Sequence, residues 1–403
     1  MNRSTPPNLL ATPNPGPPSA QSARTDRGPG QVGGPERFYR PELDTLRFIA
    51  FGGVFIHHSL PNQAEWWTAR IGSAGPSAAA LIRAGSFGVD LFFVLSAYLI
   101  SELLLREWEQ TGRIRVGAFL ARRALRIWPL YFLFLLLAWL SDSWLGKQSF
   151  GSIEAICYVL FVGNWYAAFH GYVASVAAPL WSVSIEEQFY IAWPFILARG
   201  GPRILPGLVA SMVVVALIAR IGLTAAHIPH PVIWTSTLTR LDTIATGVFL
   251  AVLARRKPLP VFPLLPVALA TMAVGCFVEL FISPIDQSFA SALFAYPLIS
   301  LSSAALLLAF RGTNDQTGIG RLLRRPELVA GGRISYGLYV FHVLGLAMAG
   351  HAVVAALPLR LSFLIPAVGL LFTIVLASIS YRLIERPFLR LKAKLAVIPS
   401  RAT

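Results

Sequence analysis

The sequence predicts an all-α, polytopic integral membrane protein with about ten transmembrane helices. Of its 403 residues, 55% are hydrophobic and only 13% are charged, about half the charged share that is usual in soluble domains. The apolar residues fall in blocks of about 20, the length that a helix needs to cross a bilayer. Lys and Arg outnumber Asp and Glu by 34 to 19 and cluster between alternate blocks. Nucleic-acid-binding proteins instead collect their basic residues on one hydrophilic face, so no nucleic-acid partner is expected.

The chain is predicted to hold one membrane domain between two tails. Residues 1–38 are rich in Pro, Gly, Ser and Thr and lack the apolar run of a cleavable signal peptide, which predicts a disordered cytoplasmic tail that stays attached. The membrane domain is expected over residues 39–388, with no further domain. Residues 389–403 are predicted to be a basic cytoplasmic tail that rests on anionic lipid.

Ten apolar segments are expected to cross the membrane, namely 44–61, 86–105, 127–145, 183–198, 204–221, 241–254, 261–282, 289–310, 334–356 and 362–381. An eleventh apolar stretch covers residues 153–169. The positive-inside rule places the basic clusters on the cytoplasmic side, which requires an even number of crossings between residues 106–126 and 199–203. Residues 153–169 are therefore predicted to be re-entrant or to lie along the outer surface, and both termini to be cytoplasmic.

The first segment carries a stripe of ionisable residues. Arg47 and His58 are eleven positions apart, which is close to three helical turns and about 16 Å along the axis. Asp44 lies on the same stripe, whereas His57 points about 80° away from Arg47. Ionisable residues inside a membrane are functional candidates, and histidine is suited to proton transfer. The alternative is that Asp44 and Arg47 are interface anchors and that the two histidines mark the outer end of the helix.

Two further regions carry candidates. Asp90 lies inside an apolar segment and is expected to face an interior cavity. Ser96, in the same segment, has no G-x-S-x-G motif around it, which disfavours a serine nucleophile. Arg122, Arg123 and Arg126 either anchor a helix at the cytoplasmic face or form a guanidinium cluster that binds phosphate.

Glu186 and Glu187 are adjacent carboxylates at the outer start of a membrane segment. They are costly there unless they are paired or lie at the mouth of a wet cavity. Ser182 or Ser184 is a possible N-cap of that helix, and acidic residues favour a first turn. That structural explanation accounts for one glutamate better than for two.

The second half of the chain has fewer candidates. Ser335, Tyr339 and His342 share one helix face, although a lone histidine there is more often a satisfied core residue. Arg240 and Asp242 are predicted to form a salt bridge at a helix mouth. Residues 381–387 are predicted to be a structural stop at the inner face. The sequence has no phosphate-binding P-loop, dinucleotide fingerprint, H-E-x-x-H motif or Cys/His cluster, so no metal is expected.

Six stretches, taken in order, resemble the acyltransferase 3 family of membrane-bound acyltransferases. They are Leu43-Asp44-x-Leu46-Arg47 with His58, Phe92-Phe93-Val94-Leu95-Ser96-x-Tyr98, Arg122-Arg123-x-x-Arg126-Ile127-x-Pro129, Leu180-Trp181-Ser182-x-Ser184-x-Glu186-Glu187-Gln188-Phe189-Tyr190, Ser335-Tyr336-Gly337-Leu338-Tyr339 with His342, and Ile384-Glu385-Arg386-Pro387. The chain departs from the family pattern at Ala97, where Gly is usual, and in its doubled histidine.

The resemblance implies O-acylation, usually O-acetylation, of a hydroxyl on a sugar, polysaccharide or glycosylated acceptor. The acyl donor would be a cytoplasmic acyl-CoA, usually acetyl-CoA, acting as co-substrate. The protein would be a multi-pass protein of a bacterial cytoplasmic membrane. Its partners would be the acyl-CoA, the carbohydrate acceptor and the lipid bilayer.

Physical chemistry suggests a role for residues of this sequence in the reaction that the resemblance implies. The donor's phosphates would contact arginines at the inner face, namely Arg47, Arg122, Arg123 and Arg126. His58 would act as general base or accept the acyl group first. Glu186 would orient the reacting groups or relay protons, and Asp44 is counted with it as a catalytic candidate. Ser184 and Tyr339 are candidates for oxyanion donors.

Two other functions remain open at this stage. A multi-pass exporter or flippase of a glycolipid or polysaccharide precursor would also need polar stripes in its helices. A structural membrane scaffold predicts that the intramembrane charges are dispensable.

Overall fold

The computed structural model describes residues 39–144, 150–256, 258–282, 288–356 and 358–394, and this part of the chain contains helices and no strand. The predicted tail over residues 1–38 lies outside the described residues, as do residues 395–403 of the second tail. The described residues fall within one compact unit.

The described residues form eighteen α-helices. They are α1 Pro41–Ser59, α2 Ala64–Ile71, α3 Gly75–Ala84, α4 Gly88–Thr111, α5 Val116–Trp144, α6 Ser152–Val159, α7 Gly163–His170, α8 Trp181–Gly200, α9 Leu205–Ala225, α10 Val232–Thr235, α11 Leu241–Arg256, α12 Leu264–Phe277, α13 Tyr296–Arg311, α14 Gly318–Leu323, α15 Pro326–Arg333, α16 Ser335–Ala356, α17 Ile365–Ser380 and α18 Arg386–Lys394. Short 3₁₀ turns join several of them, and π-helical turns occur at Val278–Ile282, Ser291–Ala295 and Tyr381–Glu385.

Helix α1 begins and ends where its sequence has helix signals. Pro41 occupies the first helical position, where its missing N–H costs no hydrogen bond. Glu42 and Asp44 lie in the first turn, where negative charge is favourable. The helix ends at Ser59, and the extended Leu60 that follows precedes Pro61, which disfavours helix in the residue before it.

Each of the ten predicted segments contains a helix, but only seven helical stretches of the described residues are long and apolar enough to span a membrane. These are Ala64–Thr111, Val116–Asp142, Pro202–Ala225, Leu264–Ile282, Ser291–Arg311, Ser335–Ala355 and Leu361–Leu391. Helix α11 has only 16 residues. Helix α1 carries Glu42, Asp44 and Arg47, and α8 carries Glu186 and Glu187, which lower their hydropathy. The predicted number of ten spans is therefore not confirmed.

The apolar stretch 153–169 forms no spanning helix. It is divided into α6 and α7, of eight residues each, and eight residues extend about 12 Å, well short of the ~30 Å hydrocarbon core. At the break, Phe161 has a φ of 55°, a left-handed conformation that is uncommon for an aromatic residue. The structure agrees with the prediction that this stretch does not cross as one helix.

Helices α2 and α3 lie between the first two predicted spans, where no helix was predicted. Helix α2 has no buried residue, and the indole of Trp67 donates to the carbonyl of Pro61 over 2.7 Å. Helix α3 is tied to the turn after α12 by an ion pair between Arg83 and Glu279, 2.8 Å long. Polar pairing across the fold orders this connection, since its sequence lacks a long apolar run.

Glycines bring α1 and the start of α4 into backbone contact. A Cβ added at Gly85 would lie 2.3 Å from the carbonyl oxygen of Gly53, and one at Gly88 would lie 2.4 Å from that of Ala50. Any side chain at these positions would push the helices apart. The close approach seats the C-terminal end of α1 against α4.

The N-terminal end of α1 is packed by residues from late in the chain. The hydroxyl of Thr45 donates to the carbonyl of Leu323 over 2.6 Å. The buried carboxylate of Glu42 lies 3.5 Å from the guanidinium of Arg324. The end of α14 and the residues before α15 therefore pack against the first turns of α1.

The predicted structural stop at residues 381–387 is wrong. The chain passes from α17 through the π-helical turn Tyr381–Glu385 directly into α18. Pro387, the second residue of α18, lacks an N–H, and α18 follows directly on the π-helical turn, where the regular hydrogen-bond ladder of the α-helix is interrupted. The helix therefore changes its geometry there instead of ending.

Candidate active site

His58 lies near the end of α1 with its ring held by its own helix. Its Nδ1 is 2.9 Å from the carbonyl oxygen of Val54. A carbonyl oxygen can only accept a hydrogen bond, so Nδ1 carries the proton and Nε2 keeps its lone pair in the neutral ring. The side chain is accessible from the surface. His58 therefore presents a proton-accepting nitrogen to an incoming group.

His57 is directed differently, as the helical spacing predicts. Its ring interacts with the backbone of Ile82 in α3 and with the charge of Arg83. The His57 and His58 rings meet edge to face with centroids 5.0 Å apart. Only His58 leaves the contact with α3 and faces the rest of the site.

His342 of α16 lies beside His58. Their ring centroids are 4.8 Å apart, and His342 is fully buried. The Nδ1 of His342 is hydrogen-bonded to the carbonyl oxygen of Tyr339, and its Nε2 is buried without a hydrogen-bond partner. The structure thus brings together two histidines that belong to separate sequence motifs.

Tyr339 continues this cluster, but its hydroxyl proton is engaged. Its hydroxyl lies 2.6 Å from that of Ser182, and both hydroxyls lie within 3.1 Å of the carbonyl oxygen of Pro179. Each hydroxyl has one proton, so one donates to Pro179 and the other to its neighbouring hydroxyl. Neither proton is free to stabilise an oxyanion in this arrangement.

Ser184 is also engaged, and neither serine caps α8. The hydroxyl of Ser184 donates to the carbonyl of Leu180 over 3.4 Å and interacts with the hydroxyl of Tyr131. The N-cap of α8 is Leu180, without a side-chain cap. The predicted capping role of Ser182 or Ser184 is wrong because both lie inside the helix, where their hydroxyls bond to preceding carbonyls.

Glu186 lies between the histidine cluster and the arginines. Its carboxylate interacts with the hydroxyls of Ser96 and Tyr190 and with the positive charges of Arg47 and Arg123. One carboxylate oxygen is buried without a hydrogen-bond partner. Tyr339 lies within its electrostatic reach. Of the two adjacent glutamates, Glu186 is the one that faces the cluster.

Asp44 supports Arg47 and does not contact His58. The Asp44 carboxylate is 3.1 Å from the Arg47 guanidinium and accepts a hydrogen bond of 3.0 Å from the hydroxyl of Tyr39. Fourteen residues of helix separate Asp44 from His58, about 21 Å along the axis. The position of Asp44 fits the binding of Arg47 rather than a direct part in proton transfer at His58.

The three arginines of α5 face different carboxylates. Arg122 is 3.4 Å from the buried Glu107. Arg123 packs between the rings of Phe119 and Tyr190, at 5.4 and 5.6 Å from their centroids. The charge of Arg126 acts on the buried carboxylate of Glu385. An anionic ligand at Arg122 would therefore share that guanidinium with an internal carboxylate.

Asp90 is part of a buried ion pair, which corrects two predictions. It lies 2.8 Å from Arg240, and neither side chain is exposed. Asp242 pairs instead with Arg220, at 2.7 Å. The predicted Arg240–Asp242 bridge is wrong because residues two apart on a helix do not face each other.

Aromatic rings complete this ionic cluster. The guanidinium of Arg240 lies 4.1 Å from the ring centroid of Trp234 and 4.8 Å from that of Tyr296, which Arg220 also faces at 4.8 Å. Such contacts stabilise desolvated cations. Asp90 therefore faces packed charges and rings, and the predicted interior cavity is not what surrounds it.

Sequence reasoning missed the role of Gln188. Its side-chain amide donates to the carbonyl of Phe161 and to the side chain of Asn164, at 2.7 and 2.8 Å, and accepts from the hydroxyl of Thr237 at 2.6 Å. Gln188 thus fixes the break between α6 and α7. A lone amide beside two glutamates was the available signal.

Glu187 also has a structural partner that the sequence did not reveal. Its carboxylate accepts a hydrogen bond of 2.9 Å from the indole of Trp128 in α5. This contact joins α8 to the helix that carries the three arginines. The two glutamates therefore make different contacts: Glu187 bonds to α5, and Glu186 faces the cluster.

The helices and this site define a membrane protein whose histidines meet near one end of α1 and whose arginines and carboxylates gather towards the other. The family model described as an acyltransferase domain matches residues 40–382, most of the chain. The protein belongs to this acyltransferase family.

Relatives agree with that assignment. A Staphylococcus aureus (strain MSSA476) protein named "Putative O-acetyltransferase SAS0844" is 28% identical over 369 residues, covering 87% of this chain and 57% of the relative. "O-acetyltransferase OatA" of Staphylococcus aureus (strain NCTC 8325 / PS 47) is 27% identical over 372 residues, with the same coverage. The chain thus spans little more than half the length of these relatives. No solved structure matches it significantly.

Proposed function

We propose that this protein is an O-acetyltransferase that moves an acetyl group from cytoplasmic acetyl-CoA to a hydroxyl of a sugar, polysaccharide or glycosylated acceptor. Membership of the acyltransferase family and the names of its relatives support the reaction class. The carbohydrate acceptor and the coenzyme donor follow from the resemblance of its motifs. The location proposed for this reaction is the cytoplasmic membrane of a bacterium.

The observation that carries the proposal is the state of His58. Its Nδ1–H is bonded to the Val54 carbonyl, so Nε2 is the nitrogen of this accessible side chain that accepts a proton. A general base must present a lone pair within hydrogen-bonding reach of the proton that it removes. A structural scaffold, by contrast, would not need an accessible histidine with a free lone pair.

The donor's phosphates are proposed to bind at the opposite end of α1. Arg47 lies about 16 Å from His58 along the helix axis. Glu186 interacts electrostatically with both Arg47 and Arg123, so the two arginines lie near the same carboxylate. Guanidinium groups bind phosphate oxygens in bidentate pairs. The pantetheine arm would extend along α1 and bring the thioester to His58.

In the proposed transfer step, His58 moves one proton from the acceptor hydroxyl to the leaving thiolate. The acceptor hydroxyl gives its proton to Nε2 of His58 while its oxygen forms a bond to the thioester carbonyl carbon. The tetrahedral intermediate collapses, the carbon–sulfur bond breaks, and the thiolate takes the proton from His58. The oxyanion of the intermediate needs hydrogen-bond donors. The hydroxyls of Ser184 and Tyr339 can donate to it only if they give up the hydrogen bonds that they make in this structure.

A pair of histidine variants tests this proposal. Purified protein in lipid nanodiscs is supplied with labelled acetyl-CoA and an acceptor glycan fraction, and label in the glycan is measured. His58→Gln is expected to lower transfer by roughly a hundredfold or more. His57→Gln, whose amide can retain the contact with Ile82, is expected to transfer at a rate close to the original. Undiminished transfer by His58→Gln would remove the assigned base.

The acceptor is found by mass spectrometry of surface glycans and glycosylated metabolites from cells with and without the protein. A mass increase of one acetyl group that requires His58 supports the proposed function. Movement of a glycolipid across the membrane without any acetyl transfer would favour the exporter. The two outcomes are chemically distinct because only transfer leaves a new ester.

A further inference from the structure

Three arginines gather around one buried carboxylate at the N-terminal end of α1. Glu42 is 1% exposed, and its two oxygens lie 3.3 Å from the guanidinium of Arg40 and 3.5 Å from that of Arg324. Arg40 also donates to the backbone carbonyl of Arg311 over 3.4 Å. These four residues, the Glu42 cluster, join the start of α1 to the end of α13 and to the residue that follows α14.

The side chain of Arg311 belongs to the same cluster. Arg311 is the last residue of α13, and its guanidinium interacts with the hydroxyl of Tyr98 in α4. The charge of Arg40 acts on that hydroxyl as well. The guanidinium groups of Arg40 and Arg311 therefore lie near each other, as the hydrogen bond from Arg40 to the Arg311 backbone requires.

The Glu42 cluster has unused hydrogen-bond donors. Among the described residues, Nε of Arg311 and Nη1 of Arg324 are buried and have no hydrogen-bond partner. A buried donor without a partner costs free energy, so both nitrogens favour an added acceptor. The cluster is open to the surface, since the side chains of Arg40 and Arg324 are 38% and 28% exposed.

The charges around the cluster do not neutralise it. Neighbouring carboxylates have partners of their own, because Asp44 pairs with Arg47, and Glu102 pairs with Arg106 and Arg255. Three guanidinium groups thus share one carboxylate, which leaves an excess of two positive charges. A phosphate monoester carries about 1.5 to 2 negative charges at pH 7, and guanidinium groups bind its oxygens in bidentate pairs.

We propose that the Glu42 cluster binds the 3′-phosphate of the coenzyme A donor. This inference rests on the proposed function and adds a second anion site to it. In coenzyme A, the thioester lies at one end of the pantetheine arm and the diphosphate at the other. The phosphate monoester lies beyond the diphosphate, on the ribose.

The positions along α1 follow the same order. His58 lies at one end, and Arg47 is the arginine assigned above to the donor's phosphates. Arg40 precedes Arg47 by seven residues, close to two helical turns, and lies about 10 Å further from His58 along the axis. The Glu42 cluster is therefore where the part of the donor beyond its diphosphate would lie.

Two ligands that differ only in this phosphate test the assignment. Coenzyme A and 3′-dephospho-coenzyme A are titrated into the purified protein in phosphatidylcholine nanodiscs, and both Kd values are measured by calorimetry. The original protein is expected to bind coenzyme A roughly tenfold or more tightly than the dephospho form. Arg311→Gln combined with Arg324→Gln is expected to bring the two Kd values within about twofold of each other.

The ratio of the two Kd values separates binding from folding. Both are measured on the same variant, so unfolded protein lowers the number of sites and leaves the ratio unchanged. In the double variant, Glu42 keeps Arg40 as its partner. The melting temperature of each variant is measured alongside.

Arg325→Gln is the matched control. Arg325 follows Arg324 in the chain but is exposed, and its loss is expected to keep the original Kd ratio. Arg47→Gln is expected to raise both Kd values by a similar factor, because the two ligands share the diphosphate. A ratio that falls equally in Arg325→Gln would reduce the effect to general surface charge and contradict the assignment.

The remaining outcomes separate this inference from the proposed function. Equal affinity of the original protein for the two ligands would overturn the 3′-phosphate site alone. If phosphatidylglycerol in the nanodiscs then raises the melting temperature of the original protein but not of the double variant, the Glu42 cluster binds a lipid headgroup instead. If the original protein binds neither ligand and transfers no acetyl group, the proposed function fails as well.

Discussion

The imidazole rings of His58 and His342 lie edge to face with their centroids 4.8 Å apart, although one belongs to α1 and the other to α16. Each ring is bonded through Nδ1 to a carbonyl of its own helix. Each therefore keeps a lone pair on Nε2 when neutral. His342 is buried, and its ring packs against the ring of the accessible His58.

Removal of the His342 ring is expected to slow transfer without weakening donor binding. His342→Asn should lower kcat by roughly tenfold to a hundredfold, since small displacements of a catalytic group are costly. The KM of acetyl-CoA should stay within about twofold. His351→Asn, on the exposed end of the same helix, is the control. Equal rates for the two variants would argue against a role for His342.

Loss of two α5 arginines is expected to weaken donor binding selectively. Arg122→Ala combined with Arg123→Ala should raise the KM of acetyl-CoA by roughly tenfold or more, because hydrogen bonds to charged groups contribute about 1.5–3 kcal/mol each. The KM of the acceptor should change less. Arg199→Ala, at the exposed end of α8, controls for loss of positive charge. An unchanged KM would leave the two arginines as helix anchors.

Removal of one member of the buried Asp90–Arg240 pair is expected to destabilise the fold. Asp90→Ala leaves Arg240 buried and unpaired, which costs about 3–5 kcal/mol. The melting temperature in detergent should fall clearly, whereas Glu109→Gln, at an exposed ion pair with Arg255, should change it little. Asp90→Leu combined with Arg240→Met should restore much of the loss. A stable Asp90→Ala protein would contradict the assigned structural role.

Gly85→Ala is expected to separate α1 from α4. The added Cβ would lie 2.3 Å from the carbonyl oxygen of Gly53, so the backbones must move, at a cost of about 1–3 kcal/mol. The melting temperature and the transfer rate should both fall because α1 carries His58. Gly52→Ala has nothing within 4 Å of its added Cβ and should behave like the original protein. Similar behaviour of the two variants would contradict the close packing.

Local periodicity predicted much of the fold and of the site. Each predicted span contains a helix. The eleven-residue spacing from Arg47 placed His58, and not His57, on the polar stripe of α1. These predictions depend only on residues within one helix, where geometry is regular. The prediction that residues 153–169 would not form a simple crossing came instead from the basic clusters on either side, through the positive-inside rule.

Contacts between distant helices could not be predicted in this way. Asp90 and Arg240 are 150 positions apart, and no pattern in either segment names its partner. The predicted bridge from Arg240 to Asp242 used proximity in sequence, which helical geometry does not convert into contact. The inward turn of Glu385 depends on one extra residue in a π-helical turn, which the apolar pattern of α17 does not reveal.

The hydrogen bond from Thr45 to Leu323 also constrains how the protein is made. The acceptor is synthesised 278 residues after the donor, a delay of roughly 14–56 s at 5–20 residues per second. During that time the N-terminal turns of α1, with Glu42 and Asp44, have no α14 or α15 to pack against. The N-terminal end of α1 can therefore reach its final packing only after α14 and the residues that follow it have been made.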